Sequence, residues 1–188
     1  IEAQRPELTI VIPAFNEEQR LPATLAAIDR YLVDERIVAE IIVADDGSTD
    51  GTADIARRFT PSSADLVVLS LPHRGKAYAV RDGILSATAD YVLFTDADLS
   101  TPMRFAPLLL DELRRGAGVA IGSREGIGAR RVGEPAYRHF MGRVFNFVVQ
   151  ALAVPGISDT QCGFKAFRAD AARKIFARTQ LHDPGEIR

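Results

Sequence analysis

Five short apolar runs, each stopping at a turn or an acid, constrain the fold more than any other feature of this sequence. They are Leu8 to Ile12, Glu40 to Ala44, Leu66 to Leu71, Tyr91 to Thr95 and Val119 to Gly122. The runs are continuous rather than alternating. That pattern suits strands buried on both faces of a parallel sheet, whose crossovers are helices. The intervening segments agree. Residues 18–33 place Leu21, Leu25, Ile28 and Leu32 four, three and four apart, which is one helix face, and Pro22 falls where a first turn tolerates proline. Helices are also predicted over Asp50 to Phe59, with Asp50 as cap, over Lys76 to Ala87, and over Met103 to Arg115. The fold class is therefore α/β: a Rossmann-like, mostly parallel central sheet flanked by helices. Ligands belong at the carboxyl ends of its strands.

Beyond residue 123 the texture changes. Ser123 to Pro135 is rich in Gly and Arg and reads as a loop. Residues 136–153 read as an apolar helix and 168–178 as another. At 188 residues, 47% hydrophobic and 26% charged, the chain fits one domain with its own core. A net charge of -2 argues against a nucleic-acid partner. The lone Cys162 excludes an internal disulfide or a Cys-rich zinc site and reads as a core residue. No signal-peptide pattern is visible in the residues ahead of the first strand. The longest uncharged stretch, Val144 to Ser158, is shorter than the roughly 18 residues of a spanning helix.

Three polar clusters sit where strands should end: Pro13-Ala14-Phe15-Asn16-Glu17, Asp45-Asp46-Gly47-Ser48 and Asp96-Ala97-Asp98. In a parallel sheet they share one edge. Each alone has a plain reading as a turn or a helix cap. Together they gather carboxylates that repel one another unless a cation or a donor joins them. A divalent metal holding a diphosphate is the economical explanation. His73-Arg74-Gly75-Lys76, at the entry of a helix, is placed to hold an anion. From Arg124 to Arg143 the segment carries Arg124, Arg130, Arg131, Arg138 and Arg143 against Glu125 and Glu134. That is either a phosphate grip or a solvated charged face. The apolar stretch Phe145 to Val154 beside it reads as a membrane-surface element or as an ordinary core helix.

The ordered set IVIPAFNEE, IIVADDGSTDGT, HRGKAYAVRDGI, FTDADLST, IGSR and DTQCGFKAF resembles the family 2 glycosyltransferases of the GT-A fold. Within them it is similar to the dolichyl- or polyprenyl-phosphate sugar transferases, and RGKxxAVRxGI with DTQCGFK points to the glucosyl branch. The resemblance runs from about residue 7 to 178 and covers one GT-A domain over 1–188. A nucleotide-binding part would span about 1–123 and an acceptor-side part about 124–188. It implies inverting transfer of a sugar, glucose from UDP-glucose first, to a polyprenyl or dolichyl phosphate, assisted by Mg²⁺ or Mn²⁺. The alternatives are mannose from GDP-mannose, or a nucleotide-sugar binding domain without catalysis. Such an enzyme would be cytoplasmic and peripheral at the inner face of the membrane.

By the same resemblance Pro13, Phe15 and Glu17 contact the nucleotide, with Phe15 where tyrosine is usual. Asp46 meets the base, Asp45 shares in that, and Lys76 belongs to the donor site. Asp96 and Asp98 form the DxD-type motif, with Asp98 on the metal and Asp96 near it and the sugar. Arg124 serves a phosphate. Arg131, Arg138, Asp159 and Gln161 fall on the acceptor side. Two departures stand out. Ser100 occupies the place where mannosyl relatives carry Gln. The chain also ends at Arg188 without the Trp- and acid-containing helix of the glucosyl branch, so part of the acceptor side is expected to lie beyond it. A phosphatase of the haloacid dehalogenase type would need its DxD motif after the first strand, not the fourth. A dinucleotide dehydrogenase would need a glycine fingerprint after the first strand, and none is present.

Overall fold

The computed structural model describes residues 5–122 and 162–179. Within them a six-stranded sheet has the order β3-β2-β1-β4-β6-β5. The strands are β1 (Leu8–Ala14), β2 (Ala39–Asp45), β3 (Ala64–Ser70), β4 (Tyr91–Thr95), β5 (Val119–Ile121) and β6 (Phe164–Arg168). Helices α1 (Leu21–Asp34), α2 (Thr52–Arg58), α3 (Lys76–Ser86), α4 (Ala106–Arg114) and α5 (Ala169–Phe176) flank it. Strands β1, β2, β3 and β4 are mutually parallel, as the apolar runs predict. One layer of core, on the α1 and α4 side, gathers Ile10, Ile12, Leu25, Ile28, Ile41, Leu93, Leu110 and Phe164. The opposite layer, under α3 and α5, holds Val11, Ile42, Ile84, Phe94 and Phe167. Cys162 is buried in the first layer, as expected of a core thiol.

Several boundaries differ from the sequence reading, each for a physical reason. Strand β1 does not stop at Pro13. The Asp46 amide donates to the Ala14 carbonyl at 2.9 Å, so Ala14 faces β2. Alternation then turns the donor-less nitrogen of Pro13 toward β4, where the ladder has already ended at Val11 and Phe94. Helix α2 begins at Thr52 rather than Asp50. Asp50 lies just outside it and accepts the Thr52 amide at 3.0 Å, which still satisfies a first-turn donor. Strand β3 is not buried on both faces, because it is the edge strand and its exposure alternates. Met103–Phe105 is a 3₁₀ turn that precedes α4.

The largest difference concerns FKAFR. From the sequence, residues 164–167 take no predicted element and Arg168 stands at the start of a helix over 168–178. They form β6, which runs antiparallel between β4 and β5. The helix starts only at Ala169. A strand of five residues whose phenylalanines stand three apart carries no clean period-two signal, and only its partners on both sides decide it. The predicted helix over 136–153 lies outside the described residues, as does the loop over 123–135.

Helix α3 packs onto β1 through Gly83. A Cβ there would meet Val11 Cγ1 at 2.5 Å, so only glycine lets the helix approach this closely. Gly83→Ala is therefore expected to lower stability by about 1–2 kcal/mol. The overpacking penalty outweighs the helix-propensity gain of roughly 1 kcal/mol. A urea denaturation series should show a lower midpoint at unchanged slope, and an unchanged midpoint would contradict the close packing.

Candidate active site

Chain order reverses about β1: β2 and β3 lie on one side of it and β4 on the other. That is the switch point where an open α/β sheet leaves a crevice. A cleft of about 280 Å³ opens there, lined by Pro13, Phe15, Glu17 and Arg20 from the β1 exit and by Asp96 and Asp98 from the β4 exit. Asp46, His73 and Lys76 complete the wall.

The β4 exit is a tight turn. The Leu99 amide donates to the Asp96 carbonyl at 3.1 Å, and Leu99 adopts a φ of 47°. Buried Thr24 of α1 donates from Oγ1 to the Ala97 carbonyl at 2.5 Å, which pins the turn between its two acids. Asp98 Oδ1 accepts the Ser100 amide at 2.9 Å and the Ser100 hydroxyl at 2.6 Å. Burial raises the Asp98 pKa, but the Ser100 hydrogen bonds and the nearby Arg20 charge outweigh it, so the carboxyl lies below its usual range. Asp98 is thus ionised at neutral pH. Asp96 Oδ1 receives Lys76 Nζ at 2.6 Å. Its other oxygen rests against Gly163, where any Cβ would collide with the carboxylate.

The β1 and β2 exits are zipped together. Asn16, at a φ of 55°, accepts the Thr49 amide on Oδ1 at 2.9 Å and gives its own amide to Ser48 Oγ at 3.0 Å. The Glu17 amide reaches Thr52 Oγ1 at 2.7 Å, and Glu18 Oε2 accepts from Gly51 at 2.9 Å. Glu17 itself faces the cleft. Its Oε2 lies 3.2 Å from Arg20 Nε yet has no aligned donor, so the pair is coulombic rather than a hydrogen bond.

Asp46 is 2% exposed, and its carboxylate receives the Arg74 amide at 2.9 Å and the Gly75 amide at 2.9 Å. His73 Nδ1 adds a contact at 2.9 Å to Oδ2, and the His73 ring stacks on Phe15 with centroids 4.1 Å apart. The buried acid therefore folds the loop that leads into α3 and brings Lys76 to the cleft. Asp45 is buried just behind, with Oδ1 3.3 Å from the Ser48 amide, and does not line the cleft.

Of the residues singled out in the sequence, Pro13, Phe15, Glu17, Asp46, Lys76, Asp96 and Asp98 meet around one cleft. Arg124, Arg131, Arg138, Asp159 and Gln161 lie outside the described residues. Arg20 and Gly163 had gone unnoticed. Arg20 had a sequence signal, its spacing of three from Glu17 at a helix entry. Gly163 had none beyond its place in a motif. Among the described residues no group of three His, Cys, Asp or Glu is arranged to hold a metal. Asp96 and Asp98 do supply hard carboxylate oxygens at the cleft, and Asp96 already carries a cation, the Lys76 ammonium. The pair fits a divalent ion that brings further oxygen ligands with it.

A parallel sheet reversed about β1, one antiparallel strand inserted beside β4, and an acidic turn at the switch point make this a GT-A glycosyltransferase domain. The chain belongs to glycosyl transferase family 2, whose family model matches residues 9–176. Among curated proteins it is 39% identical to a dolichyl-phosphate beta-glucosyltransferase of Drosophila melanogaster, over 94% of this chain and 58% of that one. It is 34% identical to the dolichyl-phosphate beta-glucosyltransferase of Homo sapiens, over 91% and 57% respectively. The chain thus spans somewhat more than half the length of these relatives. Among solved structures, glucosyl-3-phosphoglycerate synthase from Mycobacterium tuberculosis, in complex with Mn²⁺, UDP and glucosyl-3-phosphoglycerate, superposes with a TM-score of 0.63. Its identity is 25%, over 88% of this chain and 57% of that one. Among the described residues no helix is long and apolar enough to cross a membrane.

Proposed function

We propose that this chain is the catalytic part of a glucosyltransferase that moves glucose from UDP-glucose to a dolichyl or related polyprenyl phosphate. The observation that carries the reading is the pair of carboxylates, Asp96 and Asp98, facing a lysine across the cleft at the sheet's switch point. The named relatives support the glucosyl donor and the lipid acceptor. A solved relative with Mn²⁺ and UDP supports metal assistance, with Mn²⁺ or Mg²⁺ serving here.

In this reading Phe15 and Pro13 flank the base and Asp46 holds the loop that closes on it. Asp98 and Asp96 would hold the divalent ion. Bound there, such an ion neutralises the charge that builds on the departing diphosphate. Lys76, at the start of α3, faces the same phosphates, where a helix N-terminus favours an anion. The acceptor phosphate is mostly ionised near neutrality, its second pKa being about 6, so it attacks without a strong base. An acceptor oxygen forms the new bond to the anomeric carbon from one face. The bond to the UDP oxygen breaks on the other, and its electron pair leaves with UDP. The sugar inverts. The basic stretch with Arg124, Arg131 and Arg138, together with Asp159 and Gln161, takes the acceptor phosphate. It holds two anions in line, and positioning of this kind is worth about 7–11 kcal/mol. A lipid acceptor places the enzyme at a membrane surface, peripherally on its cytoplasmic face. The donor part would span about 1–123 and the acceptor part about 124–188.

Calorimetric titration tests the reading. UDP-glucose should bind with Mn²⁺ or Mg²⁺ and lose most of its affinity in chelator, while GDP-mannose should bind weakly at best. Adding polyprenyl phosphate should then yield glucosyl lipid. Preference for GDP-mannose would overturn the glucosyl assignment, and binding without turnover would favour a non-catalytic domain.

A further inference from the structure

We propose that Lys76 is an exchangeable internal cation: it neutralises Asp96 while the cleft is empty and transfers to the donor's diphosphate when the donor binds. This rests on the donor reading above and assigns the residue that would couple metal binding to nucleotide binding. Three observations on the chain itself support it. Lys76 Nζ lies 2.6 Å from Asp96 Oδ1, so the ammonium occupies the oxygen that the cleft presents. The other Asp96 oxygen lies in the space that the missing Cβ of Gly163 leaves open, so the carboxylate sits against β6 with its first oxygen on the ammonium. The ammonium also stands 5.8 Å from the Phe94 ring centroid, within reach of the ring's negative face. The ring, which Lys165 Nζ also approaches at 5.7 Å, adds an attraction for the ammonium that does not depend on Asp96.

The backbone of Lys76 is fixed as the first residue of α3, whereas its side chain is 61% exposed. A long flexible stem on a fixed base can swing between two nearby anions without moving the fold. Two consequences follow for binding. A divalent ion alone must compete with Lys76 for Asp96. Once a diphosphate is present, the displaced ammonium gains a phosphate partner. Metal and nucleotide then favour each other, and Lys76 carries the coupling, which is reciprocal by linkage.

The test uses Lys76→Gln, with Lys76→Met as a variant whose side chain offers no ligating oxygen. Manganese binding is followed by electron paramagnetic resonance without nucleotide, and UDP binding by calorimetry at saturating Mn²⁺. Removing the competing ammonium should tighten Mn²⁺ alone by about 2- to 5-fold, the worth of one exposed ion pair. The same change should weaken UDP by about 10-fold or more, the worth of a charged hydrogen bond. Both variants should fold, as circular dichroism would verify. Unchanged or weaker Mn²⁺ binding in both variants overturns the exchange, even where wild-type protein binds UDP in a metal-dependent way. If wild-type protein instead bound UDP indifferently to Mn²⁺, the donor reading would fall. Tighter Mn²⁺ in the variants would still establish the Lys76–Asp96 competition.

Discussion

Asp98→Asn is expected to lower glucosyl transfer by about 10²–10³-fold or more while the protein stays folded. The fold should survive because asparagine keeps an oxygen for the Ser100 amide and hydroxyl, which Asp98 Oδ1 now accepts at 2.9 and 2.6 Å. The activity should not. The carboxylate charge is what a divalent ion needs, and removing one preorganised electrostatic partner of a departing oxyanion costs about that factor. The hydrogen bonds and Arg20 hold the group ionised below the usual carboxylate range, so the wild-type site is charged across the neutral region. Steady-state kinetics at saturating donor decides it. Turnover near the wild-type rate would remove Asp98 from the metal site.

The second large effect is expected from a residue with no chemistry of its own. Gly163→Ala places a methyl group where the Asp96 carboxylate lies. Either Asp96 swings off Lys76 or the start of β6 lifts from β4, where Phe164 pairs with Thr95. The first outcome misplaces a carboxylate of the proposed metal site. A shift of about 1 Å there costs roughly 10²-fold in turnover. The second costs about 1–3 kcal/mol of stability by overpacking. Kinetics and thermal denaturation on the same variant separate the two. A variant with full activity and full stability would mean that the contact between Gly163 and Asp96 is not tight in solution.

The cleft at the β1, β2 and β4 exits is legible in the sequence for a specific reason. Parallel buried strands are nearly uninterrupted apolar runs, so their ends are sharp, and whatever follows them shares an edge. Asp46, Asp96 and Phe15 therefore fall together on one edge from the sequence alone. What Asp46 does was less accessible. Its partners, the Arg74 and Gly75 amides, are backbone groups of a distant loop, and backbone donors leave no residue-type signature. Strand β6 was missed because its five residues owe their state to β4 and β5 on either side. Gly163 carried no signal, since a glycine required by a side chain 67 positions away reads like any other. The arginines proposed for the acceptor phosphate stand out in the sequence only as a charge run and lie outside the described residues.

The pairing of β5 with β6 has a consequence for how such enzymes diversify. Ile121 and Lys165 stand opposite each other in adjacent strands, so these two positions, 44 residues apart in the chain, share one point of the sheet. The entropy of closing such an excursion grows only with the logarithm of its length, roughly 0.6 kcal/mol per doubling. The number of residues between these two positions therefore matters little to the stability of the sheet. A change between them can leave the cleft at the β1 and β4 exits as it is, much as a tool holder accepts different bits.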